Sequence, residues 1–200
     1  MKHFYEHNHQ QYFASTVAID PASFLTPLAR FLTSQSTILD IGCGSGRDLL
    51  WLAERGFKVT RFEQSAGLAS LARKHAGCPV IEGDFCDFDF SSLVFDALVL
   101  VGALVHQPRS AMHAVLVSLT TALQPGGYML ITMKQGTGSY SLPDGRQFTL
   151  WGKEKVEEVY RSCGLRIVDF SRQVSRLRPE DIWLGHVLQR VSETVPGDAI

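Results

Sequence analysis

Short runs of aliphatic, β-branched and aromatic residues alternate along the chain with longer stretches whose apolar positions recur at helical spacing. Residues 37–41 are apolar except for Asp40 and Thr37, which predicts a buried first strand. Leu49, Leu50, Leu52 and Ala53 form a helical stripe within 47–55, and Gly56 stops it. A second strand is expected over 57–63, with Val59 and Phe62 as its apolar positions. Ser65 is placed to cap a helix reaching Ala76, and a short strand follows around Val80 and Ile81. Residues 95–101 are a continuous apolar run, as a central parallel strand requires. Pro108 opens a helix to about Leu123 that puts Met112, Val115, Leu116, Leu119 and Ala122 on one face. Pro125-Gly126-Gly127 reads as a sharp turn before a strand over 128–133. The Gly/Ser-rich segment 135–146 reads as a loop over a site, with Gly136 and Gly138 as its hinge. A helix over 154–163 ends at Gly164, and strands over 165–170 and 182–190 form an antiparallel edge pair. In front of the first strand, 21–33 reads as a leading helix interrupted at Pro27. Strands and helices in this alternation predict an α/β fold, a doubly wound, mainly parallel sheet with helices on both faces.

Two hundred residues suit one domain. With 19 basic and 20 acidic side chains the net charge is -1, which argues against a broad nucleic-acid or anionic-membrane footprint. No apolar stretch approaches the roughly 20 residues of a membrane span, and the N-terminus lacks the apolar core of a signal peptide. Cys43, Cys78, Cys86 and Cys163 form no C-x-x-C pair, so free thiols in a reducing cytosol are expected.

The chemistry concentrates in 38–48, where Gly42, Gly44 and Gly46 lie between a buried strand and a helix. Glycines let a backbone turn tightly and approach a ligand, and a helix N-terminus adds free N–H groups. At the carboxyl edge of a doubly wound sheet, that turn lies where ligands bind. The dinucleotide fingerprint is G-x-G-x-x-G; here the third glycine comes one residue early, which disfavours a nicotinamide-dependent reductase. Asp40 precedes the turn, and Glu63 ends the next strand, where a carboxylate can accept both ribose hydroxyls of an adenosine. Asp84, at the end of the third strand, is placed to meet an exocyclic amine, and Phe85 to cover a purine.

In these residues the chain resembles the class I S-adenosylmethionine-dependent methyltransferases, over roughly 38–188. The family's acid–glycine motif matches Asp40-Ile41-Gly42-Cys43-Gly44-Ser45-Gly46, its ribose acid Glu63, its adenine motif Gly83-Asp84-Phe85, and its turn before strand five Leu123 to Gly127. Gly44 to Asp48 and Met133 to Gly136 resemble the small single-domain bacterial members. The one departure is Glu63-Gln64, where Asp-x-Ser is commoner. The resemblance implies a Rossmann-like sheet of seven strands with an antiparallel last strand. It implies S-adenosyl-L-methionine as cofactor, held by Tyr12, Asp40, Gly42, Cys43, Gly44, Gly46, Arg47, Glu63, Gln64, Asp84, Phe85 and Val101. It also divides the domain into an N-terminal cap (1–33), a cofactor-binding core (36–135) and an acceptor-side part (136–200).

Methyl transfer is an in-line displacement for which a protein mainly supplies alignment. His106, just beyond the central strand, is the expected catalytic residue, because imidazole titrates near neutrality; packing beside Pro108 is its other role. Lys134 reads as a solvated lysine, with its strand-end position as the argument for a substrate anchor. Arg30, Arg47 and Arg61 read as solvated or paired, and Arg47 as able to reach the cofactor's carboxylate. Tyr140 and Arg146 lie near the expected acceptor entrance; Trp151 and Trp183 read as packing groups. His3, His7 and His9 lack a completing ligand, so no metal is expected. The expected partner is a small-molecule acceptor methylated on O, N or S. The alternatives are a protein or RNA acceptor, or a noncatalytic S-adenosyl-nucleotide binder; no sequence feature sets an oligomeric state.

Overall fold

The computed structural model describes residues 2–77 and 80–191; Cys78 and the His3 side chain lie outside what it describes. Three helices come first, α1 (Lys2–His7), α2 (His9–Thr16) and α3 (Ala22–Ala29). Then β1 (Thr37–Ile41), α4 (Arg47–Ala53), β2 (Lys58–Glu63), α5 (Ala66–Ala76) and β3 (Val80–Glu82) alternate. They are followed by β4 (Phe95–Val101), a single 3₁₀ turn (Leu104–His106), α6 (Arg109–Thr121) and the long β5 (Leu123–Lys134). The chain ends with β6 (Ser139–Ser141), β7 (Gln147–Thr149), α7 (Lys153–Ser162), β8 (Leu165–Val174) and β9 (Ile182–Arg190). No helix among the described residues is long and apolar enough to cross a membrane.

Local chemistry sets the boundaries. Ser65 Oγ accepts from the Leu68 N–H at 3.2 Å and opens α5; Gly77, in the left-handed region, closes it behind Arg73, Lys74 and His75. The sheet order is β3-β2-β1-β4-β5-β9-β8, with only β9 antiparallel to its neighbours. Period-two alternation buries both faces. Leu39, Ile41, Leu98, Leu100, Met129 and Ile131 join the α6 and α7 side, while Ile38, Ala97, Val99 and Leu130 pack with Leu25, Leu28 and Leu52 of α3 and α4.

Three expectations change. Pro125-Gly126-Gly127 is no turn before a strand but an irregularity inside β5: Phe95 pairs with Leu123 and Ala97 with Tyr128, so the extra residues bulge, with Gly126 at φ +77. The late strands are the expected antiparallel edge pair, with β9 inserted between β5 and β8 and β8 outermost. Segment 135–146 is not a plain loop but launches a hairpin of β6 and β7. The leading helix runs through Pro27 and stops at Ala29.

Asp96 fastens the lower ends of three strands. One carboxylate oxygen accepts from the Thr37 N–H (2.6 Å) and hydroxyl (2.8 Å), the other from Gln124 Nε2 (2.7 Å). Asp96→Ala should therefore cost about 1–2 kcal/mol by urea denaturation at neutral pH. Its carboxyl is held below the ordinary 3.8, chiefly by the Thr37 N–H. Stability from this group is thus complete above 3.8 and is lost as pH falls through the lowered value, so the variant's deficit should shrink in acid.

Candidate active site

The carboxyl ends of β1, β2 and β4 converge on the glycine turn. Gly42, Gly44 and Gly46 have φ of +69, +53 and +76, a region that any residue with a Cβ enters at a cost. Space excludes a side chain too: a Cβ on Gly42 would stand 2.9 Å from Ala103 Cβ, and one on Gly44 3.2 Å from the Tyr12 ring. The Gly42 and Cys43 N–H groups donate to the Phe62 carbonyl, which ties the turn to β2. Glu63 is 7% exposed, and its two oxygens accept from the Gly44 and Ser65 N–H groups, each at 2.9 Å. Burial pushes its carboxyl up, against those N–H donors. Each oxygen retains a lone pair for a diol.

Beneath the turn lies a layer of buried charge. Asp40 and Arg61 are register partners on β1 and β2, and Asp48 of α4 is buried with them. Burial, with Asp48 adding to it and Arg61 opposing, holds the Asp40 carboxyl well above the usual carboxylate range. Arg61 is 0% exposed and donates to the Ala72 carbonyl at 2.7 Å, so it is a buried support, not a solvated side chain.

Two cavities open above the sheet. The first, about 120 Å³, is lined by Gly42, Gly44, Glu63, Gln64, Leu68 and Phe85, among others. The second, about 160 Å³, reaches from Phe24 and Arg47 to Lys134, Phe148, Asp181 and Trp183. Tyr5, Tyr12, Val101, Gly102 and His106 line both. A single wall, two of whose members come from α1 and α2, therefore separates the chambers.

His106 stands in that wall with both ring nitrogens engaged. Nδ1 lies 2.5 Å from the Gln147 carbonyl oxygen, which can only accept, so Nδ1 carries the proton. Nε2 then accepts from the Tyr5 hydroxyl at 2.7 Å. Burial lowers His106 from 6.5 to about 4, despite the Gln147 carbonyl, and Arg146 and Lys134 push the same way. Burial also raises the Tyr5 hydroxyl, with Tyr12 adding to it, so Tyr5 stays a donor.

The sequence expectations sort by cavity. Tyr12, Gly42, Gly44, Glu63, Gln64, Phe85, Val101 and His106 line the first. Asp40, Cys43, Gly46 and Asp84 do not: Asp40 supports from below, and Asp84 accepts from Gln64 Nε2 and the Cys86 N–H in the turn beyond β3 rather than at its end. Arg47 lines the second cavity and pairs with Asp48 at 2.7 Å. Lys134 is not solvated. It is 4% exposed and bonded to Tyr140 and Asp181. Trp151 packs as expected, whereas Trp183 lines the second cavity. Phe148 and Asp181 were invisible as site residues. Among the described residues no group of three or more His, Cys, Asp or Glu could hold a metal.

A family profile described as a methyltransferase domain matches residues 38–127, from β1 to the bulge of β5. That stretch of the chain is similar to a methyltransferase domain. A ubiquinone biosynthesis O-methyltransferase of Alkalilimnicola ehrlichii is 31% identical over 112 residues, covering 52% of this chain and 44% of the relative. A cypemycin N-terminal methyltransferase of a Streptomyces species is 34% identical over 96 residues, covering 46% and 39%. The chain thus spans less than half the length of either relative. The 1,6-didemethyltoxoflavin-N1-methyltransferase of Burkholderia thailandensis, solved with its namesake compound and S-adenosylhomocysteine, superposes with a TM-score of 0.74 over 94% of this chain and 84% of its own; at 22% identity it shares the fold. The first cavity has the groups that a ligand of the kind held by the Burkholderia protein needs. Bare glycine backbone can approach the methionyl part, Glu63 keeps two lone pairs for a ribose diol, and Leu68 and Phe85 offer apolar surface for a flat base.

Proposed function

We propose that this methyltransferase transfers a methyl group from S-adenosylmethionine to an oxygen, nitrogen or sulfur atom of a small molecule seated in the second cavity. The observation that supports this most directly is the wall common to both chambers, since a displacement needs its two partners in line across one short gap. Tyr12, Gly42, Gly44, Glu63, Gln64, Phe85 and Val101 would hold the cofactor, over the support of Asp40, Cys43, Gly46, Arg47 and Asp84. Once bound, S-adenosylmethionine supplies a methyl group made electrophilic by its sulfonium. Gly102, bare and at φ +70, leaves room beside it.

His106 is the residue of the wall that can receive a proton. The Gln147 carbonyl fixes the tautomer, so the Nε2 lone pair is left to accept, and Tyr5 now donates to it. An acceptor hydroxyl or N–H would take that place or reach it through Tyr5. At about 4, the imidazole is neutral at physiological pH. The rate profile should consequently show no histidine inflection near 6.5; its acid limb should fall near pH 4, and His106→Gln should abolish that limb. A limb at 6.5 would mean that His106 is solvated in the working enzyme. In this reading residues 1–33, 36–135 and 136–200 are cap, cofactor core and acceptor side of one domain.

Calorimetric titration with S-adenosylhomocysteine, and with NAD and NADPH as controls, tests the cofactor. Binding of the first alone is expected; binding of none would refute the proposal. Transfer of tritium from S-[methyl-³H]adenosylmethionine into the small-molecule fraction tests the acceptor class. Label appearing only in protein or RNA would reassign it.

A further inference from the structure

The second cavity carries a charge and shape pattern of its own. Arg47, Lys134, Arg146, Arg176 and Arg178 line it, against two carboxylates, Asp20 and Asp181. The acids that pair with three of those cations, Asp48 at 2.7 Å, Asp144 at 2.7 Å and Glu180 at 3.5 Å, are not part of the lining. Arg176 faces Asp20 at 3.9 Å, so each of the five cations has an acid beside it, yet the lining itself presents five cations against two carboxylates.

Lys134 is the most deeply held of these charges. Its side chain is 5% exposed, donates to the Tyr140 hydroxyl at 2.8 Å and to Asp181, and has a third N–H to give. Its ammonium lies 4.1 Å from the Phe148 ring centroid and 5.7 Å from that of Trp183. Both aromatics lead from this charge to the shared wall. The His106 ring centroid is 4.6 Å from Phe148, and the far edge of Trp183 lies 3.4 Å from where Gly102 would carry a Cβ. Phe24 meets Trp183 edge-on at 6.2 Å and closes the side. Cation anchor and transfer point are thus separated by about one aromatic ring, with Phe148 stacked on Tyr140 at 5.1 Å behind the lining.

We propose that this cavity takes a planar acceptor with a carboxylate at one end, a hydroxyaryl carboxylate, whose anionic group meets Lys134 while its hydroxyl reaches the Tyr5–His106 pair. The inference rests on the methyl-transfer reading above and narrows it to a substrate class. Planarity comes from Trp183, the charge preference from Lys134 with Arg146 and Arg178, and the position of the nucleophile from the wall. In the transfer, the aryl oxygen forms the new C–O bond as the C–S bond of the sulfonium breaks. The hydroxyl proton leaves to His106 Nε2, and S-adenosylhomocysteine departs with the sulfur electron pair.

The test begins with S-adenosylhomocysteine bound to the whole chain, measured calorimetrically; no binding there would overturn the cofactor reading and this inference together. The loaded protein is then titrated with 2-, 3- and 4-hydroxybenzoate, their methyl esters and 4-hydroxycyclohexanecarboxylate. At least one hydroxybenzoate should bind about tenfold more tightly than both its ester and the saturated-ring acid. Lys134→Met should weaken the acid about tenfold and leave the ester unchanged. Asp181→Asn should tighten the acid severalfold by removing a competing charge, an outcome that a misfolded variant cannot produce. With cofactor binding intact, esters that match the acids, a saturated ring that matches the aromatic one, or no binding by any of the three acids would each overturn the substrate class alone.

Discussion

Gly44→Val is expected to raise the dissociation constant for S-adenosylhomocysteine by more than about a hundredfold, close to 3 kcal/mol, while the protein still folds. Three effects add. At φ +53 a β-branched residue sits in the left-handed region, at a cost of about 1–2 kcal/mol. Its Cβ would stand 3.2 Å from the Tyr12 ring, and the two further methyl groups have only that ring or the cavity to enter. Any backbone shift that relieves them draws the Gly44 N–H away from Glu63, which it now meets at 2.9 Å. Calorimetry on the purified variant reads the outcome, and an unaltered constant would place the cofactor somewhere other than the glycine turn.

Glu63→Ala should weaken the same ligand by about 1.5–3 kcal/mol, the range for a hydrogen bond to a charged group. The loss has two sources. A diol would lose its acceptor, and the Gly44 and Ser65 N–H groups would lose theirs, loosening the turn and the first turn of α5 together. Glu63→Gln separates the two, since its one carbonyl oxygen can serve either amide but not both. It should fall between wild type and Glu63→Ala; equality of all three constants would remove the ribose from Glu63.

The cofactor half of the site was legible because its determinants are local. Three alternating glycines can take the left-handed region at no steric cost, and a continuous apolar run such as 95–101 has few places to go but the centre of a sheet. The acceptor half was not, because it is assembled from distant pieces. Lys134 is buried only because Asp181, 47 residues away, comes to meet it, and nothing around Met133-Lys134-Gln135 announces that. Arg61 hides because the Ala72 carbonyl of α5 turns towards it. Trp183 looked like packing because its role depends on β9 entering beside β5 with Trp183 opposite Lys134, a register no local pattern encodes. The β5 bulge misled for a related reason: a Pro-Gly-Gly sequence breaks an isolated strand, yet pairing with β4 on both sides carries the strand through it.

The placement of Tyr5 and Tyr12 has a kinetic consequence. Both rings belong to both chambers, and α1 is moored to α5 through Glu6, which accepts from Ser65 Oγ at 2.9 Å. Swinging that helix away to let one ligand out unwalls the other compartment in the same movement. If the proposed transfer takes place here, the two products should leave with matched off-rates that rise together when Glu6→Ala cuts the mooring. Stopped-flow traces with one product fast and the other slow would show two separate exits.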